Sequence, residues 1–153
     1  MTSRNEAIHS EPVWRERSDF IIAVAVDSAN SKVNSEQLWA RRLDDLCFEL
    51  CCIPFFAYDI ALGDIVETDE RFTITRVSVP SGRYVFRAYF GESYYPRDIM
   101  AQELESRGAL IEWSSTNLLA IDAKDHSHAA ELAAYLQEHE DLGHLMYETG
   151  RSS

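Results

Sequence analysis

Read for its alternation of apolar and polar positions, the chain falls into two rhythms. DFIIAVAVD, 19–27, is almost continuously apolar between two acids, which predicts a buried strand. SANSKVNSE, 28–36, predicts a polar loop. Leu38 and Ala40, with Leu43 beyond, then alternate with Trp39, Arg41 and Arg42, and Asp44-Asp45 predicts a turn into a second run over 46–53. Pro54, with no N–H to donate, ends that run. Two more strands are predicted over 65–68 and 72–79, around the acidic turn Asp69-Glu70. In the second of these, Phe72, Ile74 and the Arg76 stem fall on one side, and Thr73, Thr75 and Val77 on the other. Pro80-Ser81-Gly82 is the clearest break in the chain. Five strands between 19 and 79 predict a small curled antiparallel β unit, barrel-like in form.

The second rhythm is mixed. RYVFRAYF, 83–90, predicts an aromatic-rich strand, and PRDIMAQELESRG a helix with Pro96 at its start and Gly108 at its stop. ALIEWSSTNLLAIDAK predicts two strands joined near 115–117. DHSHAAELAAYLQEHEDLG predicts a helix capped by Asp125 or Ser127, with Ala129, Leu132, Ala133 and Leu136 as its apolar stripe. HLMYET predicts a closing strand. The order β-α-β-β-α-β is the ferredoxin-like pattern, two helices over one face of a four-stranded sheet. The fold class predicted is therefore α+β. A disordered arm over 1–18 precedes a β-rich half over 19–82, a ferredoxin-like half over 83–149 and a tail over 150–153.

IPFFAYDIALGD, 53–64, is rich in apolar surface for a connection. One reading is a packed flap closing the seam between the two halves, with Phe55, Phe56, Tyr58, Ile60 and Leu62 each contributing about 1.5–3 kcal/mol if fully buried. The other is an exposed aromatic binding loop.

Composition narrows the function. At 153 residues and 46% hydrophobic, the chain can build a packed core. Its formal net charge is -12, and residues 92–153, with twelve acids and four bases, carry -8 of it. That field opposes nucleic acid and anionic membranes, and favours encounter with a basic protein. With no apolar run of membrane length and no signal-peptide core, a cytoplasmic protein is expected. Cys47, Cys51 and Cys52 crowd into one strand-like segment with no second cysteine pair, so they read as buried or half-buried reduced thiols. His126 and His128 point about 200° apart at a helix start, which suits capping and solvent better than metal. His139 and His144 read as polar residues at the helix stop. Nucleophile-elbow, Walker and Rossmann motifs are absent, and the strand LLAIDAK lacks the stacking aromatics of an RNA-recognition fold. No cofactor is expected, and a binding protein rather than an enzyme.

One set of residues resembles a known family. Leu38-Trp39, Ile53-Pro54-Phe55-Phe56, Leu62-Gly63-Asp64-Ile65-Val66 and Ser81-Gly82 follow the pattern of the bacterial domain-of-unknown-function family 4265. Small acidic proteins of this kind resemble immunity proteins of contact-dependent and polymorphic toxin systems. The resemblance and the charge together imply a monomer or weak dimer that neutralises the C-terminal domain of a cognate, basic, nuclease-type toxin. The candidate binding residues are Glu103, Glu105, Glu138, Glu140 and Asp141, with Trp113 or Tyr94-Tyr95 as anchors. The alternative expectation is a small-molecule-sensing regulatory module with a pocket at Gly91-Glu92-Ser93.

Overall fold

A computed structural model describes residues 5–27 and 33–152 of the chain. Positions 28–32 of the expected polar loop, 1–4 of the expected arm and Ser153 of the expected tail lie outside the described residues. Among the described residues the architecture is α+β, with two helices and ten strands in two sheets.

The first sheet contains six strands: β1 (Glu6–Ala7), β2 (Phe20–Ala25), β3 (Ser35–Asp44), β4 (Cys47–Leu50), β5 (Ile65–Thr68) and β6 (Ile74–Val79). Strand β3 organises it, pairing in parallel with β1 and antiparallel with both β2 and β4. The sheet curls until β2 meets the residues before β6 through one bridge, Ala23 to Thr73. No closed barrel results, and the expected five-stranded barrel-like unit is corrected to an open six-stranded sheet. Ile22, Leu38, Ala40, Phe48, Leu50 and Val66 fill its concave side. Strand β6 departs from strict alternation. Two register shifts against β5 place Val77 opposite Val66, so Val77 packs on the core while Arg76 turns outward to pair with Glu67 at 2.7 Å.

The second sheet has the order β10-β7-β9-β8, from β7 (Tyr84–Tyr89), β8 (Leu110–Ser115), β9 (Leu118–Ala123) and β10 (Met146–Thr149), all antiparallel. Helices α1 (Arg97–Ser106) and α2 (His126–Asp141) join these strands and cover one face through Met100, Leu104, Leu132 and Leu136. Asp125 caps α2 by accepting the His128 N–H at 2.8 Å. Strand β9 is buried at every position, because the other face is covered too.

That second cover is the 53–64 stretch. Ile53, Phe55, Ala61 and Leu62 pack on Val85, Leu118 and Ala120, so the flap reading holds and the exposed-loop reading does not. Tyr58 alone of its large side chains stands well out, at 43% exposure. Cys51 and Cys52 are buried and Cys47 half-buried, all with free thiols, but strand β4 ends at Leu50, so Cys51 and Cys52 belong to the flap.

The expected loose ends are also corrected. Residues 5–18 are placed: β1 joins the sheet, His9 is buried, and a short 3-10 turn spans Arg15–Arg17. At the other end the Gly150 N–H donates to Val85 O at 2.8 Å, and Ser152 bonds Asp59.

Gly63 closes the flap at φ +83°, where a Cβ would stand 3.2 Å from Ser81 Cβ and 3.4 Å from the Trp14 ring. Gly82, at φ +84°, has nothing within 4 Å. Gly82→Ala is therefore expected to lose only the left-handed backbone term, about 1–2 kcal/mol. Gly63→Ala should lose measurably more, because Ser81 must also give by a few tenths of an ångström with the Trp14 ring already in contact. Urea denaturation of the two variants checks the order, and equal losses would contradict the packing account.

Candidate functional site

The flap crosses the seam without a ladder, so its buried amides need other partners. Charged side chains from both sheets supply them. Period-two alternation in β3 sends Glu36, Leu38 and Ala40 inward, and Glu36 heads that row where the flap passes. Its carboxylate accepts the N–H groups of Phe55, Phe56 and Ala57 at 2.7, 3.0 and 3.1 Å. Glu112, inward on β8, accepts from Ile53 at 2.6 Å and Val13 at 3.3 Å. Arg87, inward on β7, donates to the carbonyls of Pro54 and Ala57. Asp64 ties off the far end, accepting from Ala61 and Ser81.

His9 joins the two glutamates. It donates from Nε2 to Glu36 at 2.6 Å and from Nδ1 to Glu112 at 2.8 Å. Its ring stacks on Phe55 with centroids 3.9 Å apart, and the Trp39 indole donates to its carbonyl. Burial alone would lower the imidazole pKa, but Cys52 beside the ring and the hydrogen-bonded carboxylates of Glu112 and Glu36 override it and push the value up to about 12. The same contact, against the cost of burial, holds the Glu36 carboxyl below its usual range. His9 is therefore an imidazolium, shared between the carboxylates of Glu36 and Glu112. The family-like residues Leu38, Trp39, Ile53 to Phe56, Leu62 to Asp64 and Ser81 are the ones that build or line this seam.

A thiol, an imidazole and carboxylates lie together here, the residue types of a nucleophile-base pair. The geometry uses them otherwise. Both imidazole nitrogens hold carboxylates, and burial pushes the Cys52 thiol above its ordinary value despite His9, which keeps it protonated. The cluster is a fastener between the N-terminal segment, the flap and both sheets. Sequence reading missed His9, Glu36, Glu112 and Arg87. The available signal was parity alone: Glu36 shares a strand face with Leu38 and Ala40, as Glu112 does with Leu110, while nothing in its own segment marks His9.

The residues nominated from sequence lie elsewhere, on the helical side. Glu103, Glu105, Glu138 and Asp141 are exposed. Glu103 of α1 and Glu138 of α2 both act on His139, so acids of the two helices lie within Coulomb range of one ring. Glu140 is half-buried and accepts the Tyr147 N–H at 2.9 Å. Trp113 is half-buried against the helix-covered core, 5.8 Å from Phe90. Tyr95 is half-buried too, stacked on His144 at 4.4 Å, whereas Tyr94 is 99% exposed. Gly91, Glu92 and Ser93 border a shallow hollow of about 340 Å3 with Glu140 and Met146.

The histidines also differ from expectation. His128 is buried, and its two nitrogens meet the Lys124 N–H and the Arg107 carbonyl. His139 and His144 face each other with Nδ1 atoms 2.9 Å apart. Burial and then His144 lower the His139 pKa, which keeps it neutral rather than charged against the helix dipole. Among the described residues, no group of three or more His, Cys, Asp or Glu is placed to hold a metal. No helix is long and apolar enough to cross a membrane, again among the described residues.

Comparison with curated proteins finds no match. Among solved structures, the crystal structure of a hypothetical protein from Neisseria gonorrhoeae aligns over 86% of this chain and 93% of its own, with TM-score 0.73 and 22% identity. At that identity the likeness speaks for the fold alone. A family model described as a domain of unknown function, DUF4265, matches residues 36–147, from the Glu36 of the seam to the Tyr147 beside Glu148. The chain belongs to the DUF4265 family.

Proposed function

We propose that this protein is a non-enzymatic binding protein of the immunity type, whose acidic helical face occupies the basic, phosphate-binding surface of a cognate toxin domain. The observation that carries the reading is the segregation of exposed acid: Asp98, Glu103, Glu105, Glu131, Glu138 and Asp141 are all exposed on the two helices. Arg97, the one base inside either helix, is engaged by the carbonyls of Ser93, Tyr95 and Thr116. Arg107 at the end of α1, over the Tyr135 ring, and Lys124 before α2 are the exposed bases beside these acids. Acids therefore prevail on this face, and a predominantly acidic field steers a basic partner and repels phosphate. Tyr94, fully out beside this face, supplies an aromatic anchor. The half carrying the face reads as ferredoxin-like, which its order β10-β7-β9-β8 supports. In that arrangement the helices form an outer layer while the other sheet face is given over to the seam.

The test reverses charge where the fold has no stake in it. Glu103→Lys, Glu105→Lys, Glu138→Lys and Asp141→Lys together are expected to slow association with the toxin domain by about 10- to 100-fold and flatten its salt dependence. Stability should change little, because exposed charges contribute little. Stopped-flow association rates at several ionic strengths measure it. An unchanged rate and salt slope would sink the helical-face reading.

A further inference from the structure

A second feature is independent of the acidic face and lies on the opposite side of the four-stranded sheet. There the ends of β7 and β10, the flap around Tyr58 and the C-terminal segment border an open cleft of about 720 Å3. Arg87 forms its floor, with a side chain only 1% exposed. Its Nε and Nη2 serve flap carbonyls, while Nη1 is buried and makes no hydrogen bond among the described residues. Glu148 Oε1 stands 3.6 Å from Nη1, an ion pair beyond hydrogen-bond reach. The Glu148 carboxylate is held instead by the hydroxyls of Tyr58, at 2.8 and 3.0 Å, and Tyr89, at 2.8 Å. Burial, reinforced by Glu148, pushes both tyrosine pKa values up, so the hydroxyls stay donors. A buried cationic donor without an acceptor is costly and asks for a partner. Three donors thus surround one carboxylate, and that carboxylate belongs to a side chain 35% exposed, which a rotamer change can swing toward solvent.

We propose that Arg87, Tyr58 and Tyr89 form a receptor for the carboxylate of a small zwitterion, a free α-amino acid, with Glu148 as the built-in occupant that the ligand replaces. Charge selects the class. Arg87 and Arg151 against Asp27 and Glu148 leave the lining formally neutral in a protein of net charge -12. A plain anion would enter against that field and leave the displaced Glu148 without a cation. A ligand with an ammonium beside its carboxylate keeps both Arg87 and Glu148 paired. Phe56, Val26 and the Tyr58 ring give the cleft an apolar wall, which suits an apolar or aromatic side chain.

The experiment is calorimetric titration of the full chain with L-phenylalanine, 3-phenylpropionate, which lacks the ammonium, and 2-phenylethylamine, which lacks the carboxylate. L-Phenylalanine is expected to bind saturably and about tenfold more tightly than either truncated analogue. Tyr58→Phe with Tyr89→Phe keeps both rings in place and should weaken it by about tenfold, while Glu148→Gln should erase its advantage over 3-phenylpropionate. Binding of none of the three to the wild-type chain at millimolar concentration would mean that Glu148 is the only occupant Nη1 needs, and would overturn the proposal. Equal binding of all three would reduce the cleft to a non-specific apolar hollow and overturn it as well. Neither result bears on the acidic helical face.

Discussion

Glu36→Ala is expected to destabilise the fold by about 3–5 kcal/mol, the range for breaking a buried ion pair by removing one partner. The carboxylate is wholly buried and accepts four hydrogen bonds, three from flap amides and one from His9. Alanine leaves the amides of Phe55, Phe56 and Ala57 without acceptors and the His9 imidazolium with Glu112 alone. Glu36→Gln keeps one carbonyl acceptor but loses the charge and turns the other oxygen into an NH2 that faces donors, so it should recover only part of the alanine loss. Urea denaturation reads both, and a Glu36→Ala loss below about 1 kcal/mol would contradict the clamp.

His9→Gln gives the second large effect, and its signature is the pH dependence. The imidazole pKa rises from 6.5 when unfolded to about 12 when folded. Its contribution is therefore complete below pH 6.5 and is lost as pH climbs toward 12. One proton taken up on folding corresponds to about 1.4 kcal/mol per pH unit. Between about pH 7 and pH 9, the advantage of wild type over His9→Gln should shrink by about 2.7 kcal/mol. Glu36 titrates the other way. Its lowered carboxyl stabilises above the unfolded value of 4.5, and that support is lost as pH falls through the folded value. Asp64 and Asp122, whose carboxyls burial pushes up, are common to both proteins and drop out of the difference. Denaturation midpoints across pH, compared between the two, make the check. A gap that stays constant with pH would mean that His9 is not charged in the fold.

The local elements of this fold were legible because each carries its own boundary. Strand β5 over Ile65–Thr68 and the order β7-α1-β8-β9-α2-β10 follow from periodicity, Pro96, Gly108 and the Asp125 cap. Flap burial was one of two open readings, and only the facing residues Val85, Leu118 and Ala120 decide it. The clamp was not legible. His9, Glu36 and Glu112 are separated by 27 and 103 positions, and each looks like ordinary surface polarity in its own segment. Their burial is favourable only when all the partners arrive together, which no local pattern encodes. The N-terminal segment reads as loose for the same reason: its stability comes from contacts with β3, β8 and Phe55 rather than from itself. Exposed charge on α1 and α2 was legible because it needs no partner. Trp113, Tyr95 and Glu140 were not, since packing with Phe90, His144 and Tyr147 depends on the assembled half.

The most direct measurement of the proposed function is calorimetric titration of the protein against a basic, nuclease-type toxin domain, at low and at physiological salt. The acidic-face account predicts nanomolar binding that weakens as salt rises and weakens by about 10- to 100-fold when Glu103, Glu105, Glu138 and Asp141 are reversed together. Absence of binding, or binding indifferent to salt and to the reversal, would contradict it.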